Sequence, residues 1–220
     1  MSTSTGPGEL HATIAGPVDH ELVVKKSRFL AHLAPVASVA EADAVVARIR
    51  KEHWDARHHC VALVVGAHAD QQRSTDDGEP SGTAGIPMLE VLRHRRVTDV
   101  VAVVTRYFGG VLLGAGGLVR AYSSAVSEAL DVARIVRRAV RTAVTVDAPH
   151  ADAGRLHGVL HDWAATHDGV LVGVDYEDVA RFSLLVAPAD LDRFDADLAA
   201  ATSGNLTALR GTDHVVDLPS

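Results

Sequence analysis

The sequence predicts an α+β chain of two domains, and three observations carry that prediction. Val100 to Thr105 is a β-branched run of the kind found in a buried sheet, and it leads through a glycine-rich stretch into residues at helical spacing. The second half reads strand, helix, strand, strand, helix, strand, which is the split βαβ pattern of ferredoxin-like domains. Between them, near Arg134 to Arg138, the hydrophobic pattern changes register without a flexible linker, so the boundary falls at about residue 137 and the two parts are expected to lie close.

Met1 to Gly8 is a polar Ser/Thr/Gly/Pro head, and residues 1–18 are expected to be largely disordered. His11 to Ile14, Glu21 to Lys25 and Phe29 to Val36 read as short strands in a meander. Ser38 stands three residues ahead of Glu41 in a capping box, and Ala42, Val45, Val46 and Ile49 continue a helix to about His53. His59 to Val65 is a buried strand. From Gly66 to Gly85 no element is expected, and so long a structureless segment in a compact domain is usually functional. Pro87 suits the first turn of a short helix ending in Arg93-His94-Arg95-Arg96. The first domain then spans residues 19–137.

In the second domain, residues 138–212, strands are expected at Val140 to Val146, Val170 to Tyr176, Ala180 to Val186 and Leu206 to Leu209. Its helices are expected at Ala151 to Trp163 and Ala189 to Ala200, with residues 213–220 as a tail.

The 220 residues are 47% hydrophobic and 22% charged, an ordinary balance for a globular protein. No apolar run approaches the roughly 20 residues of a membrane span, and the head lacks the features of a signal peptide. One cysteine, Cys60, forms no internal disulfide, which suits a reducing compartment, and the expected location is the cytoplasm. The net charge of -7 argues against indiscriminate nucleic-acid binding. Its distribution is uneven: Met1 to Ile135 holds 14 Lys and Arg against 15 Asp and Glu, and the remainder holds 7 against 13. A phosphate-bearing partner should therefore meet the first half.

The segment Arg106-Tyr107-Phe108-Gly109-Gly110-Val111-Leu112-Leu113-Gly114-Ala115-Gly116-Gly117 holds five glycines in twelve residues and opens onto a helix carrying Leu118, Tyr122, Ala125, Val126, Ala129 and Leu130. Backbone N–H groups at such a place make an anion site, with Arg106 and Arg120 as mobile cations beside it. Gly114 to Val119 matches neither the dinucleotide fingerprint nor a P-loop. The glycines alternatively serve only to pack the loop. Tyr107 and Phe108 suit either base stacking or the core.

Asp76, Asp77 and Glu79 offer three carboxylates, and Ser81 and Thr83 read as helix caps or anion contacts, together a second wall for a pocket at the loop. His53, His58, His59 and Cys60 lack metal-site spacing, since adjacent strand residues point to opposite faces, and Cys60 reads as a small buried hydrophobe. Trp163 reads as core. No catalytic constellation, metal site or cofactor is expected from spacing.

Two motifs carry a resemblance. Arg106 to Gly110 with Leu113 to Ser123, and upstream Asp76-Asp77-Gly78-Glu79-Pro80-Ser81-Gly82-Thr83-Ala84-Gly85, resemble the paired signatures of the IMPACT family, including its bacterial YigZ-type members. The resemblance implies a first domain similar to the second domain of ribosomal protein S5 and a second domain similar to the ferredoxin-like domains of elongation factors. One departure is Ile86, where the family usually carries a basic residue. The eukaryotic members are translation regulators acting through protein contacts. The function expected for this chain is thus a non-enzymatic, translation-linked regulator that binds RNA or another phosphate-bearing ligand through Arg106, Tyr107, Gly109, Gly110, Gly114, Gly116, Gly117 and Arg120. Its acidic second domain would dock on a ribosome-associated protein. The alternatives are an enzyme acting on a small phosphorylated or nucleotide substrate, and a protein-binding regulator without nucleic-acid contact. No membrane partner is expected, and the sequence leaves the oligomeric state open.

Overall fold

A computed structural model describes residues 10–218. The chain divides into two compact units, Leu10–Arg138 and Ala139–Val216.

The first unit is built on a five-stranded sheet of β2 (Val18–Val24), β3 (Ser27–Pro35), β4 (His58–Val65), β5 (Gln71–Thr75) and β6 (Val100–Tyr107), in the order β2-β3-β6-β4-β5. Every neighbouring pair is antiparallel. β6 and β4 are almost continuously buried because both faces of the central strands are covered, which is why they read as apolar runs rather than alternations. One face carries α2 (Gly85–His94) and α3 (Ala115–Val132), packed over Phe29, Cys60, Ala102 and Val104. The other carries α1 (Val39–Glu52), over Val61, Leu63, Val101 and Val103. Ser38 caps α1 as the sequence predicts, its Oγ accepting from Glu41 N at 3.2 Å, while the return bond of the box is shifted by one residue, with Glu41 Oε2 accepting from Ala37 N at 2.8 Å.

Three expectations need correction here. Residues 1–9 of the expected head lie outside the described residues, but residues 10–18 are structured. Leu10 and Ile14 are buried, β1 (Thr13–Ile14) pairs with β7 (Ile135–Val136) rather than joining a meander, and Val18 opens β2. The segment between Gly66 and Gly85 contains β5, whose polar and exposed Gln71-Gln72-Arg73-Ser74-Thr75 shows no apolar alternation because it is an edge strand. The β2–β3 connection is also tighter than expected. Val24 pairs with Ser27, so Lys25 and Lys26 alone make the turn, with φ of 46° and 68°, the left-handed pair that a two-residue hairpin demands.

The second unit has β8 (Arg138–Ala148), α4 (Ala153–Thr166), β9 (Val170–Tyr176), β10 (Ala180–Val186), α5 (Leu191–Thr202) and β11 (Ala208–Asp217), the βαββαβ order that the sequence predicts. The sheet order β11-β8-β10-β9 is that of a ferredoxin-like fold, with Leu156, Leu160, Trp163, Phe194 and Leu198 of the two helices in its core. The expected tail is shorter than 213–220, because β11 continues to Asp217 as an edge strand beside β8, and residues 219–220 lie outside the described residues.

Candidate nucleic-acid interface

The C-terminal end of β6 and the loop after it form one end of the first unit, and the glycines there have separate reasons. Gly109 donates its N–H to Ser27 Oγ at 3.1 Å, and a Cβ on it would lie 2.0 Å from the carbonyl carbon of Lys26. Only glycine lets the loop press against the Lys25-Lys26 turn. Gly114, with φ 71° and ψ 166°, occupies a backbone region open essentially to glycine alone and forms the N-cap of α3, without a side-chain cap. Gly110 has φ 81° at the exposed bend. Gly116 and Gly117 are not loop residues, because α3 begins at Ala115; they belong to its first turn. Leu118 N makes the first return bond, to Gly114 O, so the N–H groups of the three residues before it have no intrahelical acceptor.

Arg106 is not the mobile cation that the sequence suggests. It is the penultimate residue of β6, buried, with Nη1 donating to Glu79 Oε1 at 2.7 Å, and its guanidinium lies over the Phe29 ring at 5.4 Å and over the Phe108 ring at 5.7 Å. Tyr122 of α3 donates its hydroxyl to the same Glu79 oxygen at 2.8 Å. Strand, acidic loop and helix are thus tied by one buried polar network. Burial raises the Tyr122 hydroxyl far above its usual range, so it stays a donor.

The expected second wall is spent in the same way. Asp76 is the cap of α2: its carboxylate accepts from the backbone N–H groups of Gly82, Ala84 and Gly85 at 2.8, 3.0 and 2.8 Å. Burial pushes its pKa up, but those three bonds outweigh burial and hold it below the ordinary value. Asp77 accepts from His59 N and pairs with Arg50, both at 2.7 Å. Thr83 donates to Pro80 O, and Ser81 is exposed, so neither caps the helix that follows. Only Glu79 reaches the loop, and it does so as an internal ion pair. Among the described residues no group of three or more His, Cys, Asp or Glu is arranged to hold a metal ion.

The histidines are similarly committed. His58 Nδ1 donates to Asp77 O at 2.9 Å, while His59, next along β4, turns to Thr105 Oγ1 at 3.1 Å. A groove of about 430 Å³ beside α1 holds further polar groups, but they satisfy one another: His32 donates from Nδ1 to Asp19 at 2.6 Å and accepts from Arg48 at Nε2 at 2.8 Å. Cys60 is buried, its Sγ hydrogen donates to Asp76 O, and burial pushes the thiol up to about 12.

What remains open at this end is basic and aromatic. Lys25, Lys26, Arg57 and Arg120 are exposed and have no ion-pair partner among the described residues. Arg120 Nη1 reaches back over Gly116, 3.7 Å from where a Cβ would sit, and the side chain shares a cavity of about 200 Å³ with Lys25, Leu113 and Gly117. On the other flank a cavity of about 490 Å³ is lined by Arg57, His58, Arg106, Tyr107, Phe108 and Leu112, with Asp55 and Ala56. Tyr107 is half-buried, its hydroxyl donating to Asp55 at 2.9 Å and accepting from His53 at 3.2 Å. Phe108 is 56% exposed, Leu112 83% and Trp54 82%. Sequence reasoning missed Trp54, Arg57, Lys25 and Lys26. The available signals were an unpatterned tryptophan just past the α1 cap and two adjacent lysines between strands.

Comparison with known proteins agrees with this architecture. The Impact N-terminal domain matches residues 25–130, and a domain of unknown function (DUF1949) matches residues 146–205. The chain is 40% identical over 192 residues to the IMPACT family member YvyE of Bacillus subtilis, covering 87% of each. It is 40% identical over 197 residues to the IMPACT family member YigZ of Escherichia coli, covering 89% of this chain and 95% of the relative. Protein IMPACT of Bos taurus is 36% identical over 105 residues, which are 44% of this chain and 32% of that protein. A crystal structure of a hypothetical protein, 40% identical, superposes with a TM-score of 0.59 over 91% of this chain and 97% of that one. On matched domains and on identity along nearly its whole length, the chain belongs to the IMPACT family.

Proposed function

We propose that this protein is a non-enzymatic, translation-linked regulator that binds RNA through the loop end of its first domain. The observation that carries the proposal is the coincidence there of four unpaired cations, Lys25, Lys26, Arg57 and Arg120, with the uncapped N-terminus of α3 and exposed aromatic rings. Phosphates are bound by such cations and N–H groups, and bases by such rings. The contact set differs from the one the sequence suggests: Arg106 serves beneath Phe108, and the lysine turn and Arg57 take its place at the surface. Membership of a family whose eukaryotic members regulate translation supports the cellular setting, and the single buried cysteine suits the cytoplasm. The acidic second domain is assigned to docking on a ribosome-associated protein.

A protein-only regulator is the second reading, favoured by Trp54 and Arg57, since exposed tryptophan and arginine also form protein hot spots. An enzyme acting on a small phosphorylated substrate has less support, because Asp76, Asp77 and Glu79 are all engaged internally.

Fluorescence anisotropy of labelled RNA at low and physiological salt tests the proposal. Saturable binding that persists at physiological salt and weakens in Arg120→Ala is expected. Protein partners captured equally after nuclease treatment, with no RNA binding at either salt, would favour the second reading.

A further inference from the structure

We infer that the cavity beside Phe108 seats an unpaired nucleobase, so that the RNA this face binds is single-stranded; the inference rests on the RNA reading and narrows its ligand. The Phe108 ring has two unlike faces. One face lies over the Arg106 guanidinium at 5.7 Å, and that group also lies over the Phe29 ring at 5.4 Å and is held at its tip by Glu79. The ring is therefore a supported plane rather than a loose side chain, while more than half of the residue's surface remains open to solvent. A rigid, half-exposed aromatic plane against a cavity of about 490 Å³ is a stacking platform of the size of small-molecule sites.

The polar groups on the wall suit a base as well as a ring. His58, whose Nδ1 donates to Asp77 O, lines the cavity with its imidazole ring. Arg57 supplies unpaired donors, and Asp55 has one carboxylate oxygen beyond the one that Tyr107 occupies. Arg106 also lines the cavity and is nine-tenths buried, and its Nε is enclosed without an acceptor in the protein. Trp54, next in the chain to Asp55, offers a second open ring. A duplex cannot use such a seat, because its bases are stacked inside and the A-form major groove admits no side chain.

The test compares a labelled single-stranded RNA with the same strand annealed to its complement, by anisotropy, on the full chain. The single strand is expected to bind at least about 10-fold more tightly than the duplex, and Phe108→Ala to weaken single-strand binding by about 10-fold with no change in salt slope, since no phosphate contact is lost. Phe108→Tyr, which keeps a stacking ring, should retain the affinity. Single-stranded RNA should also quench tryptophan fluorescence in the wild type and lose that quenching in Trp54→Phe. If Phe108→Ala does not fold, Trp54→Ala, at an exposed position, carries the affinity test alone. Equal binding of duplex and single strand, or an unchanged Kd in Phe108→Ala and Trp54→Ala, overturns the base seat while leaving the phosphate contacts standing. Absence of binding to either RNA at low salt removes both.

Discussion

Replacing Arg106 with leucine would leave the Glu79 carboxylate buried without its counter-ion, and the size of the penalty follows from the site. The side chains of Glu79 and Arg106 are only 3% and 8% exposed and meet at 2.7 Å, so neither charge is screened by water. Removing one partner of such a pair costs about 3–5 kcal/mol, because the remaining charge keeps its desolvation penalty and loses its attraction. With a urea dependence of roughly 2 kcal/mol per M, the first-domain midpoint should fall by about 2 M. Neutralising the other member in the same chain, Arg106→Leu with Glu79→Gln, removes the stranded charge and keeps an acceptor for the Tyr122 hydroxyl. The double variant should therefore be more stable than Arg106→Leu alone, with a coupling of about 1–3 kcal/mol. Urea denaturation followed by far-UV circular dichroism checks this. Simple additivity, or a single variant within about 0.5 kcal/mol of wild type, would refute the view that this pair holds strand, acidic loop and helix together.

Gly109→Ala places a Cβ 2.0 Å from Lys26 and should cost about 2 kcal/mol or more, read as a lowered thermal midpoint, whereas an alanine at exposed Gly154, where nothing lies within 4 Å, should be nearly neutral. Cys60, buried and with its thiol pushed up to about 12, should resist a thiol reagent in the native protein and react only as the first domain unfolds; rapid native labelling would contradict its burial. Burial, reinforced by Arg50, His53 and His58 against the opposing Asp77, holds the His59 pKa below 6.5. The folded state then binds fewer protons than the unfolded one between that lowered value and 6.5. This contribution is complete above 6.5 and is lost as pH falls through the window, so the urea midpoint should drop on acidification and His59→Asn should flatten the drop.

Legibility in the sequence followed burial. The central strands β4 and β6 were readable because both of their faces are covered, and the α1 cap because Ser38 and Glu41 stand at capping-box spacing. The β9–β10 hairpin announced itself by two β-rich runs around Glu177-Asp178. Edge strand β5 did not, since its stability comes from pairing with β4 and not from apolar faces of its own. The paired motifs located the right end of the molecule, but spacing cannot tell which charges are already matched across the fold. Arg106 lies 27 residues from Glu79 and Asp76 caps a helix nine residues on, so both looked available. Trp54 was invisible for the opposite reason: an exposed ring belongs to no periodic pattern, and only its place in the chain next to Asp55 of the Phe108 cavity gives it a meaning.

The most direct test of the central claim is the salt dependence of single-stranded RNA affinity in the wild type and in a Lys25→Ala, Lys26→Ala, Arg120→Ala variant. Each neutralised phosphate contributes about 0.7 to the slope of log Kd against log salt. The variant should bind more weakly, with a slope lower by about 2, while keeping its far-UV spectrum. An unchanged slope, with the three cations gone and the fold intact, would contradict RNA binding at this face.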